Sequence, residues 1–356
     1  MSESNLEPWD VWELEFPTTH GVAEKLCFLL RYAVLAPSSH NSQPWLWKMN
    51  GETVELHADR SRALPVADPD DRELIMGCGA SLLHLRLALR HFGYAGEVAT
   101  FPDPQNPDLL ARVGLGPNKA PAVEDDLLFW AIPKRHTNRQ PFEERELPIS
   151  LLPALQAEAA QEGAWLHVIQ DLAQRDAVVD LIVKGDWIQG HNRGFREELA
   201  HWIHPNRSAQ SDGMPGYALG MNNLTSYVAP LAIKAMDIGE GQAEKDRRLA
   251  ESAPVLAVLG TDETTPAHCL AAGQAVARVL LRACAAGVAA SFFNQPIELN
   301  RLCTQLRHIL ERDGYPQLLF RLGYANETRP TPRRGVDEIL IGEAALGEAA
   351  AGETLS

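Results

Sequence analysis

Ala36-Pro37-Ser38-Ser39-His40-Asn41-Ser42-Gln43-Pro44-Trp45 sets three hydroxyls, an imidazole and two carboxamides between two prolines. An apolar run, Leu26 to Leu35, leads into it. Short hydrogen-bonding groups on a stiff backbone suit a flat ligand with a polar edge. Ser, Asn and Pro are equally at home in a plain helix-to-strand connection. What decides between these readings is whether the rest of the chain carries the other walls of a site.

Upstream, residues 1–18 read as a polar, acidic arm with Trp9, Trp12 and Phe16 as anchors. Thr19 is placed to cap a helix from about Val22 to Leu35, which Pro37 stops. Downstream, Leu46–Met49 and Val54–His57 read as strands around a turn at Asn50-Gly51. A Leu/Ala-rich helix follows from Glu73 to Phe92, ended by Gly93, then a strand at Ala111–Leu115. Asn118–Pro121 reads as a boundary. Beyond it come helix at Ile149–Glu162, strand at Ala164–Ile169 and helix at Arg175–Gly185. Residues 186–250 read as a long irregular insertion, followed by strand at Pro254–Gly260 and a second Leu/Ala helix at Ala267–Ala286. A helix at about 299–312 and a strand at Gln317–Leu322 complete the pattern, with a disordered Ala/Gly/Glu tail over 342–356.

Composition limits the function. The 356 residues suit roughly two domains. A net charge of −15 argues against nucleic acid or an anionic membrane as partner. The five cysteines are widely spaced and form no CxxC pair, which predicts free thiols, no metal site and a reducing, cytoplasmic location. The N-terminus lacks the basic flank and apolar core of a signal peptide, and no apolar run is long enough to span a membrane.

The two Leu/Ala helices look like copies. Gly79 to Gly93 and Gly273 to Gly287 are both fourteen residues apart, and each half reads helix, strand, further segments, this helix, late strand. The polar loops, however, are not shared. The opening loop belongs to the first half, whereas Arg135–Arg139, Gln295–Glu298 and Arg333-Arg334 belong to the second. Complementary polar sets on two halves predict one composite site between them.

These motifs resemble the FMN-dependent nitroreductase family: APSSHNSQPW (36–45), RHTNR (135–139), NQPIE (294–298) and TPRR (331–334), in that order. The pattern is most similar to the Acg-like subgroup, in which two nitroreductase-like halves are fused into a pseudo-dimer holding a single flavin under a lid. The resemblance covers about residues 20–340. It implies an α+β fold, a tandem duplication with helices packed on two central, mostly antiparallel sheets. The halves would be 19–118 and 119–341, the second carrying the insertion at about 186–250.

For the site, the resemblance implies Arg135 and Arg139 at the FMN phosphate and ribityl chain, with His136 beside them, and Arg333 and Arg334 clamping the phosphate. Thr137 would bond the flavin's polar edge. Ser38, Ser39 and Asn41 would reach it across the interface between halves, and Pro296, Ile297 and Glu298 would lie along the ring. No catalytic side chain is assigned, because the flavin carries the chemistry. The family's usual middle-region Asn/Lys contacts have no clear match. Instead, the stretch from His204 to Asn223, through Asp212-Gly213-Met214-Pro215-Gly216, is expected to fold over the flavin.

Three functions follow from the resemblance. The first is an oxidoreductase passing electrons from NAD(P)H through FMN to a nitroaromatic, quinone or similar acceptor. The second is a lidded FMN-binding protein that sequesters or stores the flavin, and the third a flavin-free remnant. A fused pseudo-dimer predicts one FMN per chain, and a monomer or weak homodimer.

Overall fold

The computed structural model describes residues 4–342; the expected tail beyond Gly342 lies outside them. In chain order, α1 is Val22–Ala33, β1 Trp45–Asn50, β2 Thr53–Ala58, α2 Arg72–His91, β3 Glu97–Thr100, β4 Leu109–Gly114, α3 Val123–Phe129 and α4 Leu151–Gln161. Next are β5 Trp165–Ile169, α5 Leu172–His191, α6 Arg193–His201, β6 Ile203–His204, β7 Met214–Pro215, α7 Asn223–Ala235 and α8 Gly239–Glu251. The chain closes with β8 Val255–Thr261, α9 Pro266–Ala285, β9 Ala289–Phe292, α10 Gln295–Glu298, α11 Asn300–Leu310, β10 Tyr315–Gly323, α12 Val336–Ile339 and β11 Leu340–Ile341.

Two sheets carry the fold. The first has the order β11-β1-β2-β4-β3 and the second β5-β8-β10-β9. All neighbours are antiparallel except β11, which pairs in parallel with β1 through Trp47 and Leu340. The late chain thus completes the early sheet. One apolar core includes residues of both sheets and of α1, α2, α4 and α9, among them Trp45, Trp47, Leu82, Ala277, Leu281 and Phe320.

The two Leu/Ala helices, α2 and α9, cross at glycine. A Cβ on Gly79 would stand 2.3 Å from Leu270 O, and one on Gly273 would stand 2.0 Å from Met76 O. Each helix ends in the same way. Gly93 and Gly287 take left-handed backbone (φ 86° and 73°), and the next amide reaches back to a carbonyl five residues earlier: Tyr94 to Leu89, Val288 to Ala283. These shared caps are the structural counterpart of the equal glycine spacing.

Three readings of the sequence change, and one strand is not read from it at all. Gly21, and not Thr19, precedes α1 as its cap. Trp12 is exposed, while Trp9 and Phe16 pack inward. The strand β3, exposed at all four positions, has no hydrophobic signature. The stretch 186–250 is mostly helical, not irregular: α5 runs through Gly185 to His191, and α6, α7 and α8 follow. The insertion has a small apolar core of its own, formed by Ala200, Ile203, Met214, Ala229 and Ile233.

Candidate functional site

A cavity of about 620 Å³ lies where the loop after α1, the α2 helix, the Arg135–Arg139 loop, α10 and the insertion meet. The Ser38–Gln43 loop is bent by left-handed backbone at His40, Asn41 and Gln43 (φ 53°, 56° and 51°), conformations that cost energy outside glycine. Neighbours hold that bend. Ser38 Oγ accepts the Gln43 amide at 2.8 Å, Ser39 Oγ donates to Glu73, and Gln43 Nε2 donates to Ser211 O at 2.8 Å. The loop lies close on α2, since a Cβ on Gly77 would meet Pro44 and Ser38 at 3.2–3.3 Å.

At one end the cavity narrows into a neck bordered by Asn41, Arg135, His136, Thr137, Arg139, Thr331 and Arg333. Arg135 and Arg333 are 4% and 3% exposed. Burial pushes the Arg135 guanidinium down to about 10 and Arg333 well below its usual range, and the Arg135 charge lowers Arg333 further. Arg139 is lowered by the same desolvation. Among the described residues, none of the three pairs with a carboxylate, and Arg135 Nε and Arg333 Nε have no partner at all. Arg333 is fixed by Asn41 Oδ1 at 2.7 Å, Thr331 Oγ1 at 2.7 Å and the Trp9 ring, 4.8 Å from its guanidinium carbon. Buried cations without counter-charge are costly, and a dianion in the neck would offset that cost.

The expected site residues divide. Ser38, Ser39, Thr137, Arg139 and Glu298 border the main cavity; Asn41, Arg135, His136 and Arg333 border the neck. Asn41 spends its side chain on Gly213 O, Pro332 O and Arg333. Arg334 borders neither space. Its guanidinium bonds Gln43 O and Glu338 O, with Asp59 at 3.8 Å, so it ties the opening loop to the chain end and is not a phosphate clamp. Pro296 and Ile297 also do not border the cavity; Ile297 is in the apolar core beneath, and Asn294, Gln295 and Glu298 present the polar face of that turn. Residues of the His204–Asn223 stretch do reach the cavity, through Met214, Leu219 and Met221. They are tethered by Gly213 N to Asn41 O at 3.1 Å and by Asp212 to Arg62.

Sequence reading assigned no role to Glu73, Met76, Gly77, Ala80, Asp186, Gln189, Asp246 or Val276, all of which border the cavity. Those on α2 and α9 looked like helix core. Asp186 and Asp246 fall in the stretch read as irregular, where no face could be defined.

Along its length the chain is 31% identical over 324 residues to a protein of Mycobacterium tuberculosis (strain H37Rv) named "Putative NAD(P)H nitroreductase Rv3131", covering 89% of this chain and 91% of that one. The chain belongs to the NAD(P)H nitroreductase family. It is 28% identical to the M. tuberculosis relative named acg, over 91% of this chain and 97% of the other. Similarity to "Probable NAD(P)H nitroreductase PigM" of Serratia sp. is 25% identity over 87% and 91% of the two chains. No family model matches. Among solved structures, an FMN and NADPH-dependent nitroreductase, NfnB from sphigopyxis sp. strain HMH, is 18% identical with a TM-score of 0.42, spanning 61% of this chain and 98% of its own, too distant to bear on the site.

In this nitroreductase-family chain the arginine neck also sets a pH response. Burial, followed by the charge of a nearby arginine, holds His40 down to about 4 and both His84 and His136 down to about 3. All three imidazoles are therefore neutral in the fold, whereas unfolded they take up protons near pH 6.5. Their contribution is present above that pH and is lost as pH falls toward the folded values. The melting temperature should drop steadily from pH 6.5 to 4. His84→Gln, at a fully buried ring whose Nδ1 donates to Tyr32 O at 3.2 Å, should make that drop shallower. An unchanged pH profile for this variant would count against it.

Proposed function

We propose that this protein binds FMN in the cavity, with the phosphate in the arginine neck, and transfers electrons from NAD(P)H to a nitroaromatic, quinone or similar acceptor. One observation carries the reading: Arg135, Arg139 and Arg333 converge on a narrow space, and among the described residues none of them is in salt-bridge contact with a carboxylate. Guanidinium groups without a carboxylate partner fit an anion with several acceptor oxygens, which a flavin phosphate has. Ser38, Ser39, Thr137, Asn294 and Glu298 would then edge the ring system, and Met76, Gly77, Ala80 and Val276 would supply apolar contact. The bound flavin would accept a hydride and pass electrons on; the protein holds it, orients it and excludes water.

Family membership supports the same reading, with two nitroreductase-like halves, 19–118 and 119–341, forming one composite site. One FMN per chain is expected, in a monomer or weak homodimer. The five unpaired thiols fit a reducing compartment, here the cytoplasm. The test is direct: purified protein should be yellow, and anaerobic NADPH or NADH should bleach the flavin. A colourless protein that takes up no FMN would overturn the reading.

A second reading, flavin sequestration, is favoured by the tethers over the cavity: Arg62 to Asp212, Asn41 to Gly213 and Gln43 to Ser211. Stopped flow separates the two. If dithionite reduces the flavin normally and neither nicotinamide does, the reductase is wrong and storage is right. The tether also makes a prediction of its own. Arg62→Ala removes the ion pair to Asp212 and the bond to Ser42 O at 2.7 Å. It should raise the FMN release rate several-fold, with little change in melting temperature; release at the wild-type rate would show that this contact does not restrain exit.

A further inference from the structure

The wall that the insertion gives the cavity has a chemistry different from that of the arginine neck. It is built from Asp186 and Gln189 on α5, Asp237 before α8, Lys245 and Asp246 on α8. With Glu73 and Glu298, five carboxyl side chains border the cavity, against Arg139 and Lys245. Apolar side chains complete this wall, among them Leu199, Met221, Ile233, Ile238 and Leu249.

Asp186 and Asp246 are 4% and 6% exposed and share one partner. Gln295 Nε2 donates to Asp186 Oδ1 at 2.8 Å and to Asp246 Oδ2 at 3.1 Å. Its donors spent, Gln295 keeps its Oε1 without a partner, and Asp186 Oδ2 is likewise unpaired. Gln295 Oε1 is a buried acceptor with no donor, beside a carboxyl pair close enough to share a proton. Burial and mutual repulsion push Asp186 up to about 8, and burial raises Asp246 as well, so the pair holds a proton near neutral pH. The charges around the pair are Lys245 on the same helix, Arg139 and Arg321 from facing elements, and Asp237 and Glu298 at the wall. Asp237 is engaged by His191 at 2.7 Å.

We propose that Asp186, Asp246 and Gln295 form a recognition subsite for a flat aromatic ligand carrying a cationic, hydrogen-donating nitrogen, such as an amidinium or protonated arylamine. The apolar side chains cover the ring, and the ligand's N–H groups donate to the two carboxylates in place of the proton they share. The ligand's charge replaces the shared proton, which leaves to solvent on binding. The subsite uses residues other than those assigned above to flavin and rests on that reading only for its role, as the place where an electron acceptor binds.

The probe is benzamidine, with benzamide as its neutral isostere, titrated calorimetrically into the full-length protein. Flavin content is recorded by absorbance in the same samples, so a colourless protein bears on the FMN reading alone. Benzamidine should bind at least tenfold more tightly than benzamide at pH 8, and its affinity should rise severalfold from pH 6 to pH 8. Heats in buffers of different ionisation enthalpy should show proton release on binding. In Asp246→Asn the preference for the cation should fall to near unity and the proton release should vanish; Asp186→Asn, which keeps the shape of the wall, should act the same way. Equal binding of the two probes, no measurable benzamidine binding, or a preference unchanged in both variants would overturn the proposal.

Discussion

Arg135→Ala should raise the FMN dissociation constant by about tenfold to a hundredfold, while the flavin-free variant melts at the same temperature as the flavin-free parent or higher. The first part follows from the strength of charge-assisted hydrogen bonds, about 1.5–3 kcal/mol each, where about 1.4 kcal/mol is a factor of ten. The second part has the opposite sign. Arg135 is buried, its Nε has no partner, and it faces the like charge of Arg333. Without an anion it is a desolvated charge that the fold must carry, at a cost of several kcal/mol. Removing it relieves that cost while deleting a ligand to phosphate. Riboflavin is the control: it has no phosphate, so the FMN-over-riboflavin preference should shrink in the variant. If Arg135→Ala binds FMN as tightly as the parent, the neck is not the phosphate site.

This contrast also shows what could be read from sequence. Strands β1, β2, β8 and β10 and helices α1, α2, α4, α9 and α11 announce themselves by apolar period, because each has one face or both in the core. The polar motifs were legible as motifs, but not their side-chain directions. Arg333 and Arg334 are adjacent, yet one enters the neck and the other turns to Glu338 and Asp59. Nothing in a pair of arginines says which is which.

The insertion was misread for a related reason. The helix read from sequence ends at Gly185, and glycine usually weakens a helix. There, however, glycine answers a close approach: a Cβ at 185 would come within 2.6 Å of Gln295 Cβ, and one at Gly190 within 2.2 Å of Gly239 Cα. Those partners are remote in sequence and invisible without the fold. Similarly, α8 is polar along most of its length, and its one cavity-facing acid, Asp246, looks like any surface charge until Asp186 stands beside it.

Gly273→Ala should cost about 3 kcal/mol of folding stability and displace the cavity wall with it. The added Cβ would meet Met76 O at 2.0 Å and Met76 C and Cα at 2.7 Å. These are backbone atoms within a helix, so no rotamer change can clear them, and α2 and α9 must move apart. Helix propensity acts the other way, since alanine gains about 1 kcal/mol over glycine in a helix interior. Overpacking in a fixed core costs about 1–3 kcal/mol and at times more. Here the clash is with main chain at the crossing of two 20-residue core helices, so it dominates. Because Met76, Gly77 and Ala80 on α2 and Val276 on α9 border the cavity, flavin affinity should fall together with stability. Gly287→Ala is the matched control. It has nothing within 4 Å, and only its left-handed backbone (φ 73°) opposes a side chain, which costs about 1–2 kcal/mol and leaves the cavity untouched. Urea unfolding with FMN titration on both variants gives the comparison. If Gly273→Ala proves as stable as Gly287→Ala and binds flavin normally, the two helices do not pack backbone to backbone at this point.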